Sequence, residues 1–111
     1  MVETPRNLLK LLKTYKWMKS VRCVPLQKME DLLYGLGCGL TQRGSSHDTY
    51  QHEQLSKAPR HYFPQIVLGQ QEERDVIEVV KRDPMGKDNV KRILEKVKVI
   101  FRMYGVTEND L

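Results

Sequence analysis

Only two cysteines, Cys23 and Cys38, occur in the 111 residues of this chain. They are too few for a four-thiolate metal site and are not spaced as a CxxC redox pair, so free thiols in a reducing compartment are expected. Long apolar runs are missing as well. The N-terminal hydrophobic stretch is broken by Lys10, Lys13 and Lys16, which argues against a membrane-spanning helix or a secretory leader and for a cytoplasmic protein. The sequence also lacks internal repeats, low-complexity tracts, a Walker loop, a paired-carboxylate constellation and a Ser-His-Asp order.

What remains is enough for one domain with a single modest core. Hydrophobic residues make up 40% and charged residues 30% of the chain, against about 45–50% and about 25% in ordinary soluble domains. The chain is therefore polar but still able to fold. Its net charge of +5 is unevenly spread: residues 1–28 carry seven basic residues and one acid, whereas the remainder carries twelve and thirteen. Such asymmetry suits an anionic partner (RNA, DNA, lipid headgroups or an acidic protein), with a solvated helix face as the simpler explanation.

Residues 6–20 place Leu8, Leu11, Leu12 and Tyr15 on one helical face, while Lys10, Lys13, Lys16 and Lys19 repeat along another. This basic amphipathic helix either docks on nucleic acid or membrane, or packs through its leucines on the domain or on a partner. Trp17 and Tyr15 offer rings for base stacking or for a helix interface. A second helix is expected over about 25–36, opened by Pro25, carried by Leu26, Met29, Leu32, Leu33 and Leu36, and ended by Gly35, Gly37 and Gly39. Leu40 to Arg43 and Asp48 to Glu53 read as strands joined by a Gly44-Ser45-Ser46 turn. Two β-branched runs, Ile66–Leu68 and Asp75–Lys81, compete for the third strand. Lys87 to Tyr104 is the strongest helix, with Val90, Ile93, Leu94, Val97, Ile100, Phe101 and Tyr104 as its stripe and Gly105 as its cap.

Strand alternation sends His47, Thr49 and Gln51 one way and Asp48, Tyr50 and His52 the other. If Tyr50 packs on the helices, His47 stands on the open face beside a turn rich in hydroxyls and amides, an arrangement suited to proton transfer around a phosphate. His52 shares the parity of Tyr50 and is expected at the core or strand end. A His47/His52/His61 metal site would need ligands from opposite strand faces, so no metal site is expected.

The ordered set of a helix, a hairpin bearing Arg-Gly-Ser-Ser-His-x-x-Tyr-x-His (residues 43–52), a β-branched strand, a Pro-x-Gly-Lys-Asp turn (Pro84 to Asp88) and a closing helix resembles the HicA family of toxin ribonucleases. The likeness runs from about Pro25 to Gly105. It implies an α+β, double-stranded-RNA-binding-like α-β-β-β-α domain with a three-stranded antiparallel sheet. It further implies cleavage of messenger RNA without metal or cofactor, and neutralisation by a cognate antitoxin. On that resemblance His47 falls at the catalytic histidine, Tyr50 at the aromatic anchoring the strand, and Val76 to Lys81 at the third strand. Residues 1–24 then form a basic helical extension, 54–74 an insertion with room for a strand at Ile66–Leu68, and 106–111 a tail. Neither the extension nor the insertion has a family counterpart. Glu72, Glu73, Asp75, Glu78 and Asp83 are acids where an RNA-cleaving protein would favour bases, unless they fold back onto the basic helix.

Metal-free RNA cleavage uses the substrate's own 2′-hydroxyl, so the protein must supply a base, an acid and donors for the charged phosphorane. His47 is the expected acid or base. Gly44, Ser45 and Ser46 are expected to hold a phosphate oxygen through hydroxyls and turn amides, with Arg43, Lys87 and Lys91 steering the RNA backbone. Two other functions fit the same residues: a non-catalytic RNA-binding module of the same fold, favoured by a His47 buried or hydrogen-bonded away from the open face, and an interaction subunit docking through Leu8, Leu11, Leu12 and Tyr15 of the N-terminal helix, favoured by an exposed stripe.

Overall fold

The computed structural model describes residues 4–63 and 75–111. Among these residues, four α-helices lie on one face of a three-stranded antiparallel sheet, giving a mixed α+β fold. The strand order is β2 (Gly39–Arg43), β3 (His47–Gln51), β4 (Val76–Val80), so β3 is central and bonded on both sides. The third strand is thus the Val76 run, whereas Ile66–Leu68 lies outside the described residues.

The period-two pattern of β3 and β4 decides which face is covered. Tyr50, Ile77 and Val79 are buried against the helices, while His47, Gln51 and Glu78 are exposed on the far side. Helix α4 (Lys87–Met103) is the hub, packing on β4, on α1 (Leu8–Ser20) and on α3 (Glu53–Lys57). Its buried residues are the expected stripe from Val90 to Phe101 with Val99 added, a wider apolar arc than one stripe because neighbours flank the helix on several sides. A positive φ of 94° at Gly105 ends the helix as only glycine does easily.

Helix α1 turns its leucines inward. Leu11, Tyr15 and Met18 belong to the same core as α4, Leu8 and Leu12 lie partly buried against it, and the Tyr15 ring meets Phe101 edge-on at 5.3 Å. Tyr15 therefore serves a helix interface, while Lys10, Lys13, Lys16 and Lys19 face solvent together with Trp17. The stripe on which docking of an interaction subunit would rest is not exposed. Gly35 makes the close approach possible: a Cβ there would stand 2.6 Å from Leu11 Cδ2.

Helix α2 (Leu26–Gly35) follows Pro25, and Asp83 Oδ1 accepts a hydrogen bond from the Leu26 amide at 3.1 Å, a cap supplied from across the chain. Asp83 thus binds at α2 rather than folding back onto the basic helix. The same region is tied by a second ladder that the sequence did not reveal, in which β1 (Cys23–Val24) pairs with β5 (Met85–Gly86). A further difference concerns the end of β3. The strand stops at Gln51, and His52 caps α3, its side chain accepting from the Gln54 amide. Residues 53–57 and the short 3-10 turn Arg60–Tyr62 therefore give helical structure to the start of the stretch read as an insertion, pinned to α4 by Arg102, whose guanidinium lies 3.7 Å over the Tyr62 ring.

Candidate functional site

The β2–β3 turn is shaped by one close contact. The Gly44 amide donates to the His47 carbonyl at 2.8 Å, and a Cβ on Gly44 would lie 2.5 Å from that oxygen, so only glycine fits without moving backbone. The Ser46 carbonyl accepts from the Lys81 amide at 2.9 Å, fixing the turn to the end of β4. These two bonds set the position of His47 at the start of β3.

His47 is exposed on the open face, and its Nδ1 lies 2.8 Å from Ser46 Oγ, a contact that orients the ring. It lines a cleft of about 300 Å³ together with Gln42, Gly44, Ser45, Ser46, Thr49 and Glu78. Thr49 pairs with Glu78, and His47 with Val80, so His47 and Glu78 are diagonal neighbours on one face of adjacent strands. Such diagonals are about 7–8 Å apart, a span that long side chains can bridge to one small group. The site thus combines an imidazole, a carboxylate, two serine hydroxyls and turn amides. The Gly44 amide is already used by the His47 carbonyl, which leaves those of Ser45 and Ser46 in the turn for a ligand.

Gly44, Ser45 and Ser46 are therefore brought together with His47, but Arg43, Lys87 and Lys91 are not. A register shift between Leu40 and Gln42 moves the pairing by one residue, so that Arg43 faces Asp48 instead of His47. Directly paired residues share a face, which puts Arg43 on the side of Asp48, opposite the cleft. Lys87 and Lys91 line a different groove, between α1 and α4. None of the seven residues lining the His47 cleft is lysine or arginine. Glu78, by contrast, reads in the sequence as an unfavourable acid, and its place diagonal to His47 follows only from the strand register.

Asp48 sits on the covered side, nearly buried, with Lys81 Nζ 3.3 Å from its Oδ1 as an ion pair. Tyr50 is fully buried and its hydroxyl reaches Glu30 Oε2 at 3.3 Å; burial pushes its phenol pKa up, reinforced by Tyr34 and by the Glu30 and Asp48 carboxylates. His52 is buried at the strand end. Its Nε2 lies 2.7 Å from the Leu36 carbonyl and 2.9 Å from Tyr104 Oη, while Nδ1 accepts from the Gln54 amide at 3.1 Å. With both nitrogens engaged in holding α2, α3 and α4 together, His52 is a structural latch and not a partner of His47. Among the described residues there is no group of three or more His, Cys, Asp or Glu placed to hold a metal ion, and no helix is long and apolar enough to cross a membrane. Comparison of the chain with protein-family models, with curated proteins and with solved structures finds no match to any of them.

Proposed function

We propose that this chain is a metal-independent endoribonuclease of the HicA type, a messenger-RNA-cleaving toxin on a double-stranded-RNA-binding-like domain, held inactive by an antitoxin that covers the cleft. The observation that carries this reading is the exposed His47, oriented by Ser46 at 2.8 Å and facing Glu78 across a polar cleft. An imidazole and a carboxylate on either side of one small group are the two proton-transfer partners that RNA transesterification needs. His47 is exposed and its Nδ1 contact is to Ser46 of the adjoining turn, which favours the enzyme over a purely RNA-binding module, for which a histidine buried or hydrogen-bonded away from the open face is the expected sign.

In the proposed reaction the Glu78 carboxylate takes the proton from the substrate 2′-hydroxyl. The freed oxygen pair forms a bond to phosphorus, and the bond from phosphorus to the 5′-oxygen breaks. His47, protonated, gives its Nε2 proton to that departing oxygen while Nδ1–H donates to Ser46 Oγ. The products are a 2′,3′-cyclic phosphate and a 5′-hydroxyl. Charge on the phosphorane is met by the Ser45 and Ser46 amides and hydroxyls. The net charge of +5 supplies long-range attraction for RNA.

The test is cleavage of a labelled messenger RNA in EDTA by wild type, His47→Ala and Glu78→Gln. Cutting by wild type with at least a hundredfold loss in each variant, and RNA binding retained, is the expected pattern for general acid–base groups. Equal cutting by wild type and His47→Ala, or binding without cutting by wild type, overturns it.

A further inference from the structure

We propose that the groove between α1 and α4 docks an acidic segment of another protein, seating an apolar side chain on its floor and carboxylates on Lys87 and Lys91. This inference stands apart from the ribonuclease reading, because the groove shares no lining residue with the His47 cleft.

The groove encloses about 390 Å³. Met18, Val21, Val90 and Leu94 form an apolar floor, and Lys19, Lys87, Lys91 and Lys98 stand around it with Glu95 as the one acid. An apolar floor under a cationic rim matches a ligand that is apolar in the middle and anionic at its edges. The chain already applies this chemistry at one end. Its residues 107–111, Thr-Glu-Asn-Asp-Leu, bring Glu108 Oε1 to 3.3 Å from Lys98 Nζ, while Lys19 Nζ donates to the Leu111 carbonyl oxygen at 2.6 Å and the Leu111 side chain packs against the core. The C-terminal residues thus engage two of the four lysines in cis, Lys98 through a carboxylate and Lys19 through a backbone carbonyl, while leaving the groove floor itself uncovered.

Lys87 and Lys91 have no anionic partner among the described residues, and both are exposed. They are four apart on one helix, a like-charge pair beside which the helix supplies the single carboxylate of Glu95, four residues beyond Lys91, so the rim keeps an excess of positive charge for an anion to meet. Nucleic acid fits this surface less well: its phosphates would meet the lysines, but its sugar-phosphate backbone has nothing to bury on the floor formed by Val90 and Leu94. A protein segment supplies both components.

The experiment is fluorescence anisotropy on the full chain, with a fluorescein-labelled peptide of alternating Glu-Glu and Leu-Leu pairs as probe. Controls are the same peptide with Ser for Leu, and the protein variant Lys87→Glu/Lys91→Glu, whose exposed positions leave the core intact; a thermal melt checks its fold. The expected result is binding to wild type that weakens about tenfold in the protein variant and about tenfold with the Ser peptide. Lack of binding by wild type, equal affinity in the variant, or equal affinity of the Ser peptide overturns the proposal. So does a short RNA that displaces the probe from wild type and loses its own binding in the variant, since the patch then belongs to nucleic acid.

Discussion

Acidification should loosen the junction around His52 before it affects the sheet. Nδ1 of this ring accepts the Gln54 amide, so its single proton resides on Nε2, directed at the Leu36 carbonyl; Tyr104 Oη donates to the same oxygen at 2.6 Å. Protonating Nδ1 would set two N–H groups against each other and place a charge where water is excluded. Burial accordingly pulls the His52 pKa down, outweighing the Leu36 carbonyl and Glu53, which favour the cation. The unfolded chain then takes its proton first, at about pH 6.5. The contribution to stability is complete above that value and is lost as pH falls from there through the lower folded pKa. Removing the ring altogether, in His52→Ala, leaves a cavity and an unsatisfied Gln54 amide and should lower stability by about 2–4 kcal/mol at neutral pH. That corresponds to a fall in melting temperature of roughly 9–17 °C for a domain of this size. Urea unfolding of both proteins on either side of pH 6.5 provides the assay, with wild type losing stability on the acid side and the variant showing a flatter dependence. An unchanged urea midpoint in His52→Ala at neutral pH, or the same pH slope in both proteins, would refute this reasoning.

Gly44→Ala should cost about 1–3 kcal/mol, because its methyl meets the His47 carbonyl and the turn bond must break; nuclear magnetic resonance should show shifts centred on residues 44–47, and unchanged spectra would count against the turn geometry. Lys81→Met leaves the nearly buried Asp48 carboxylate without its counter-ion and should cost about 1–2 kcal/mol, recovered by adding Asp48→Asn; the check is a set of denaturation curves for the single and double variants. Cys38 is buried, which pushes its thiol up to about 12, whereas Cys23 is exposed. Iodoacetamide should therefore modify Cys23 in the native protein and Cys38 only on unfolding, as read by mass spectrometry; rapid double labelling would contradict the burial of Cys38.

The parts of the fold that the sequence made legible are those governed by local periodicity. Alternation along 47–52 placed His47 outward and Tyr50 and His52 inward, and the three- and four-residue spacings located α1, α2 and α4. The parts it hid depend on contacts between distant segments. Two residues at 23–24 pairing with two at 85–86 carry no pattern of their own. The bulge between Leu40 and Gln42 is a single extra residue, yet it takes Arg43 from the face of His47 to the face of Asp48. Glu78 joins the cleft for the same reason in reverse, since only the β3–β4 register sets it diagonal to His47. Lys87 and Lys91 sit on a helix whose position against α1 no local signal reveals, and they consequently line a separate groove.

End-group analysis of RNA fragments released in EDTA tests the proposed catalytic role of His47 most directly. Attack by the substrate's own 2′-hydroxyl leaves 2′,3′-cyclic phosphate and 5′-hydroxyl ends, and these should appear with wild type and vanish with His47→Ala while RNA binding persists. Fragments ending in 3′-hydroxyl and 5′-phosphate, or cyclic-phosphate ends produced equally by His47→Ala, would contradict it.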